Sequence, residues 1–110
     1  WYAPDQDYGI RHSVFAPFFG IQAATITATE RIASSNSSPV LCFSVKRDNK
    51  RCKWRLLFDK EIKNFPAESS SESAGILNNA LEKIISVWPV ILLWMQRRFK
   101  TRPPGEASLY

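Results

Sequence analysis

The chain has 110 residues, of which 45% are hydrophobic, and its formal net charge is +5 at pH 7. That length provides for one domain with a single core, and the hydrophobic content argues against a disordered or low-complexity chain. The surplus of Lys and Arg favours an acidic partner, and nucleic acid, anionic lipid and acidic protein are the alternatives.

The first third of the chain predicts an extended lead-in followed by short strands. Residues 1–12 mix aromatic residues with Pro, Asp and Gly and form the lead-in. Residues 13–20 are apolar but contain Pro17, which removes a backbone donor, so a strand there is short or lies at a sheet edge. In residues 21–33 apolar residues alternate with threonines and predict a strand of about seven residues. The serine-rich stretch at 34–39 then predicts a loop.

Residues 40–58 predict a β-hairpin, because apolar residues alternate with polar ones on both sides of a turn sequence. With Asp48-Asn49 as the loop, the predicted cross-strand pairs are Leu41 with Leu56, Phe43 with Trp54 and Val45 with Cys52. These six side chains share one face, which we expect to be the core, so Trp54→Ala should cost about 3–5 kcal/mol. Cys42 falls on the opposite face, so we expect no disulfide with Cys52.

A long amphipathic helix is predicted after a polar loop. Ser69-Ser-Ser-Glu72 fits a capping box. Apolar residues then recur at helical spacing at Ile76, Leu77, Ala80, Leu81, Ile84, Ile85 and Trp88. Pro89 ends or kinks this helix.

Together these elements predict an α+β fold in which a small antiparallel sheet of three or four strands packs against the long C-terminal helix. Residues 13–100 would form this single domain. Residues 101–110 contain Pro103-Pro104-Gly105 and predict a disordered tail.

Common patterns of catalytic and cofactor sites are absent from the sequence. It has no Gly-rich phosphate loop and no Cys/His spacing typical of a metal site. His12, the single histidine, lies near the start of the chain. We therefore predict a protein that is not an enzyme and that binds neither a cofactor nor a metal.

Basic residues cluster on the hairpin and after the helix. The predicted basic patch consists of Lys46, Arg47, Lys50, Arg51, Lys53, Arg55, Arg97 and Arg98. One interpretation is a phosphate-binding surface, since Lys and Arg gain affinity by pairing with phosphate and releasing counterions. The other is a solvated sheet face whose charges prevent aggregation.

Large apolar residues at the end of the helix form a second candidate surface, consisting of Trp88, Trp94, Met95 and Phe99. They could bind a protein partner or lie at a membrane interface beside the basic tail. The alternative is that they belong to a core helix that closes the sheet.

The order of strand, basic turn, Trp-bearing strand and long helix resembles the last third of a pleckstrin-homology-type domain. The residues that carry the resemblance are Leu41 to Lys46, Lys53 to Phe58 and Ile76 to Trp88. Lys46, Lys53 and Arg55 also resemble the spaced basic motif with which some such domains bind phosphoinositides. Within that superfamily the pattern is similar to accessory proteins of meiotic DNA-break formation, whose terminal domain recruits protein partners.

The sequence thus predicts a scaffold that acts through protein contacts, with the basic hairpin adding affinity for nucleic acid or acidic protein. The alternative is a module that binds phosphoinositides or an anionic membrane. Two unpaired cysteines suit an intracellular protein, nuclear or cytoplasmic.

Overall fold

The computed structural model describes residues 2–89 and 96–110. Its elements are β1 (Ser13–Phe18), β2 (Ile21–Ile26), α1 (Ala28–Asn36), β3 (Leu41–Asp48), β4 (Lys53–Glu61) and α2 (Ser70–Val87), and a single 3-10 turn at Ile10–His12 precedes β1. The predicted α+β class, with small antiparallel pairing and a long C-terminal helix, is confirmed.

The strands form two separate sheets. β1 pairs with β2 and β3 pairs with β4, both antiparallel, and each sheet has two strands among the described residues. The prediction of one sheet with three or four strands is therefore wrong. The strand predicted within residues 21–33 ends at Ile26, and α1 follows it because Ala, Glu and Arg favour a helix.

The core lies where α2 packs on the first sheet. Phe18, Ala23 and Ile85 form the buried cluster, and Leu81 and Phe99 pack against it. The tight turn between β1 and β2 consists of Phe19 and Gly20, both with positive φ, which suits the twist of a two-residue hairpin loop.

The second hairpin has a different register from the predicted one. Phe43 lies opposite Phe58 and Val45 opposite Leu56, so β4 is shifted by four residues from the predicted pairs. The turn causes this shift. Asp48 Oδ1 accepts hydrogen bonds from the backbone N–H groups of Lys50 (3.1 Å) and Arg51 (3.3 Å), so strand pairing stops at Asp48 and the turn begins there. The even shift keeps Phe43, Val45, Trp54 and Leu56 on one face. Leu41 is separated from them by a bulge, and Cys52 lies in the turn before β4.

The face of this hairpin that we expected in the core is exposed. Ser44 is buried, whereas Val45, its neighbour on the opposite face, is exposed, and so are all nine residues of β4. The reason is that α2 packs mainly on β1 and meets the second hairpin chiefly along β3. Cys42 is buried and Cys52 exposed, and both are free thiols.

The start of α2 agrees with the predicted capping box, since Ser69 Oγ accepts a hydrogen bond from the backbone N–H of Glu72 at 3.1 Å. The helix ends at Val87, shortly before Pro89. Among the described residues, no helix has both the length and the apolar character needed to cross a membrane.

Candidate functional site

An apolar groove of about 590 Å³ lies between α2 and β3. Its walls are Leu77, Leu81, Ile84 and Ile85 from α2, Leu41 to Val45 from β3, Thr29 from α1, and Tyr2 to Asp5, Pro39 and Val40 from segments outside these elements. Four stretches of the chain therefore build one cavity. Most of its lining is aliphatic or aromatic.

The groove is almost free of charge. Among the described residues that line it, Asp5 is the single carboxylate. Burial, and secondly the negative charge of Asp59, raise the pKa of the Cys42 thiol, so this side chain stays protonated at neutral pH. Burial, and secondly Tyr8, raise the pKa of the Tyr2 hydroxyl. The cavity therefore suits an uncharged, apolar ligand.

A buried hydrogen-bond network fixes the helix that forms one wall. Asn78 is 0% exposed, and its Nδ2 donates to the carbonyl of Pro17 and to Thr25 Oγ1, each at 2.9 Å. These bonds connect α2 to both strands of the first sheet. Because Leu77 and Leu81 lie on the same helix, the network also fixes the groove.

Arg98 completes this network. Its Nη1 donates to the carbonyl of Ala24 at 2.7 Å, its Nη2 donates to Thr25 Oγ1 at 3.0 Å, and its guanidinium lies 4.9 Å from the ring centroid of Phe18. Burial lowers the pKa of Arg98, against the opposing effect of Asp7 and Asp5. At 4% exposure Arg98 belongs to the core, so its predicted place in an accessible basic patch is wrong.

Asp7 joins the two ends of the chain. It is buried and accepts hydrogen bonds from the N–H of Gly9 (2.8 Å), the N–H of Thr101 (2.8 Å) and Thr101 Oγ1 (2.9 Å). Arg102 then donates to the carbonyl of Gln22 at 2.6 Å. The segments predicted to flank the domain thus contact each other and the first sheet.

The other seven residues of the predicted basic patch are exposed, six on the second hairpin and Arg97 apart from them. Arg55 pairs with Asp48 at 3.1 Å, and Lys46 Nζ lies 3.7 Å from the centroid of a Trp88 ring. The hairpin cations are distributed over both faces and the turn. Phosphate binding by this surface stays a prediction, as do the protein, nucleic-acid and lipid partners.

The residues of the second candidate surface do not form one surface in the described structure. Phe99 packs on Phe18 with ring centroids 6.1 Å apart and so extends the core. Trp88 is half-buried beneath Lys46. Trp94 and Met95 lie outside the described residues.

Proton-transfer and metal groups are not assembled in the part of the chain that the structure describes. The His12 side chain is exposed, and its backbone carbonyl accepts from Thr27 N at 3.0 Å and Thr27 Oγ1 at 3.3 Å. No cluster of three or more His, Cys, Asp or Glu side chains there could hold a metal ion.

Fold and groove together define an α+β protein with an apolar groove beside its long helix. Comparison with known proteins is more specific, since residues 1–101 match the model of the bacterial lipid A biosynthesis acyltransferases. The chain belongs to this family.

Several curated relatives match the chain over its whole length. It is 39% identical over 111 residues to the lipid A biosynthesis palmitoleoyltransferase of Escherichia coli K12 and 38% identical over 111 residues to the lauroyltransferase of the same strain. Identity to the myristoyltransferase of that strain is 27% over 110 residues. These matches cover 100% of this chain but 36%, 36% and 34% of the relatives, so the chain spans about a third of their length.

The comparisons overturn several predictions. The resemblance to pleckstrin-homology-type domains and meiotic accessory proteins is wrong, because the family is a different one. A non-enzymatic scaffold that binds DNA or protein is wrong as well, because the relatives are named as acyltransferases, and a phosphoinositide module describes them no better. A nuclear location is wrong because the family is bacterial.

The groove and the buried network were missed because both depend on distant segments. One signal was present in the sequence: Asn78 interrupts the apolar stripe of α2, and Arg98 lies three residues after a long apolar stretch that ends at Met95. Polar residues among apolar ones indicate a buried partner when the surrounding pattern is core-like. Which residues are those partners follows only from the packing of α2 on the first sheet.

Proposed function

We propose that this chain is part of an enzyme that transfers a fatty acyl group to a precursor of lipid A, and that its groove holds the hydrocarbon chain of that group. The observation that carries the proposal is the apolar groove of about 590 Å³ between α2 and β3. This volume lies within the range of about 300–1,000 Å³ that is usual for small-molecule sites. Family membership and the acyl groups named for the relatives support the same ligand class.

Acyl transfer breaks the bond between the acyl carbonyl carbon and its carrier. A new bond forms from that carbon to a nucleophilic atom of the acceptor, and the proton of this atom passes to the departing carrier group. The alkyl chain takes no part in the exchange, so its binding energy serves to position the carbonyl. Each CH₂ group moved from water into an apolar wall contributes about 0.8 kcal/mol.

The structure favours this role because the wall of the groove is both apolar and held in place. Leu81 and Ile84 present aliphatic surface from α2, and the buried residues Cys42 and Ser44 of β3 also line the groove. Asn78, on the same helix, is fixed by its hydrogen bonds to the first sheet. A fixed wall binds an alkyl chain without losing further conformational freedom of its own.

The test is the binding of a fluorescent fatty acid to the 110-residue chain, with two matched tryptophan variants on α2. Ile84 lines the groove, whereas Val87, three residues further on, is exposed and outside it. We expect Ile84→Trp to fill the groove and weaken binding at least about tenfold, which corresponds to about 1.4 kcal/mol. Val87→Trp should leave the dissociation constant within about twofold of the wild-type value.

Val40→Trp fills the same groove from the segment before β3 and serves if Ile84→Trp does not fold. Absence of saturable binding, or equal affinity for all three tryptophan variants, would contradict the proposal. Transfer itself is tested with the E. coli palmitoleoyltransferase whose matched third is replaced by these 110 residues. A labelled fatty acyl donor and a lipid A precursor are its substrates, and we expect Ile84→Trp to reduce transfer of the longer acyl groups first.

A further inference from the structure

The β3–β4 hairpin presents an apolar face that none of the described residues covers. We call Trp54, Leu56 and Phe58 of β4 the hairpin face, since the strand alternation places them on one side. Trp54, Leu56 and Phe58 are 64%, 55% and 69% exposed. Aromatic side chains bury on the order of 150–250 Å² each, so the hairpin face reaches the few hundred Å² that marks an interaction surface.

β4 is also open along its outer edge. It pairs only with β3 among the described residues, and each of its nine residues is exposed. Unpaired N–H and C=O groups at such an edge are a template for another strand. An isolated two-stranded hairpin is only marginally stable in water. The hairpin therefore lacks both a covering surface and a neighbouring strand.

The length of the relatives identifies the occupant. We propose that the hairpin face docks on the part of the acyltransferase polypeptide that corresponds to the relatives' remaining two thirds, and that this part also covers the β4 edge. Folded polypeptide supplies both apolar side chains and backbone hydrogen-bond partners. A lipid bilayer supplies no backbone partners for a strand edge. The proposal rests on family membership and not on acyl transfer by the groove.

The two neighbouring leucines of β4 provide a matched test. Leu56 belongs to the hairpin face and Leu57 points to the opposite side, and they are 55% and 42% exposed. Leu56→Cys and Leu57→Cys are made in a background in which Cys42 and Cys52 are replaced by Ser. Each variant is labelled with a maleimide in the 110-residue chain and in the E. coli palmitoleoyltransferase that carries these residues in place of its own matched third.

We expect Leu56→Cys to react at least about tenfold more slowly in the longer protein than in the chain alone, because docking must open before the thiol is accessible. Leu57→Cys should change less than about threefold. Equal labelling of Leu56→Cys in both contexts would overturn the proposal. If the hybrid protein does not fold, the chain is co-expressed with the unmatched part of the relative, and failure to co-purify overturns it too.

Other occupants give different results, each of which counts against the proposal. Protection of Leu56→Cys in the chain alone that rises with protein concentration indicates a second copy. Protection that appears only with vesicles of phosphatidylethanolamine and phosphatidylglycerol indicates a lipid surface. Because labelling requires no turnover, an inactive hybrid with a protected hairpin face supports docking while it counts against the proposed acyl transfer.

Discussion

The two hairpins of this chain lie in opposite environments. The β1–β2 hairpin buries Ala16 and Ala23 beneath α2, whereas the β3–β4 hairpin leaves larger apolar residues such as Trp54 and Phe58 in solvent. Small side chains let the helix approach the first sheet closely, and dense packing follows. Apolar character alone therefore does not decide burial; a complementary surface within reach does.

The polar groups of the two hairpins also lie in different environments. In the first region Thr25 Oγ1 accepts hydrogen bonds from Asn78 and Arg98 and donates to the carbonyl of Ala23 at 3.2 Å, so its hydrogen-bonding capacity is used fully. In the second region the ion pair of Arg55 with Asp48 is largely exposed and stabilises little. The first region defines the stable part of the chain, and the second is the part available for contacts.

The largest expected effect comes from the core of the first region. Phe18 is 1% exposed and packs against Ala23, Ile85 and Phe99. Phe18→Ala should lower the free energy of unfolding by about 3–5 kcal/mol, measured by urea denaturation. Phe58→Ala is the control on the other hairpin, with an expected cost under about 1 kcal/mol. Similar costs for the two variants would contradict the contrast between the hairpins.

A smaller effect is expected from the buried network. Asn78→Leu keeps a side chain of similar size but leaves the carbonyl of Pro17 and the hydroxyl of Thr25 without this donor, so we expect a cost of about 1–3 kcal/mol. Asn79, the next residue of α2, is exposed. Asn79→Leu should change the free energy of unfolding by less than about 0.5 kcal/mol. A cost for Asn78→Leu as small as that of Asn79→Leu would show that the network does not hold α2.

Local signals in the sequence account for the elements that could be predicted. The capping box at Ser69 and the apolar repeat of α2 need only neighbours along the helix, and both agree with the structure. The hairpin was predicted for the same reason. Its register was not. The alternation placed Asp48 in the loop, whereas in the structure Asp48 ends β3 and accepts the hydrogen bonds from Lys50 and Arg51 in the turn that follows.

Long-range packing accounts for what could not be predicted. Which face of the second hairpin is buried depends on where α2 docks, and α2 docks mainly on β1. The groove requires Tyr2, Phe43 and Leu81 to meet, although they are far apart in sequence. The sequence patterns described above did not indicate an acyltransferase.

The two cysteines lie in these different environments and should differ in reactivity. Cys42 is buried in the wall of the groove, and burial together with the charge of Asp59 raises its pKa, while Cys52 is exposed in the turn. We expect iodoacetamide to alkylate Cys42 at least about tenfold more slowly than Cys52 near pH 8, measured by mass spectrometry. Asp59→Asn should move the pH midpoint for Cys42 downward, because it removes the second cause of the shift.

The sign of the linked stability change follows from the direction of this shift. Below the ordinary thiol pKa both folded and unfolded chains keep the proton on Cys42, so stability does not depend on it. As the pH rises from the ordinary thiol pKa towards the raised folded value, the unfolded chain loses its proton first and the folded state loses stability. Cys42→Ser should remove this part of the alkaline destabilisation. Equal alkylation of both thiols in the folded chain would contradict the burial of Cys42.

The smallest effect is expected for Trp54→Ala in the 110-residue chain. The alternation of the sequence predicts a core tryptophan with a cost of about 3–5 kcal/mol, and the structure corrects this because the side chain is 64% exposed. Its remaining contact is with Arg47, whose guanidinium lies 5.8 Å from the ring centroid, and an exposed cation–π pair contributes only about 0.5 kcal/mol. Urea denaturation should therefore show a change near that value. In the hybrid protein, where we propose that the hairpin face is docked, the same substitution should cost about 2 kcal/mol or more, since a buried aromatic anchor is then lost. A large cost in the chain alone would place Trp54 in its core after all, and a small cost in both would leave the hairpin face without a partner.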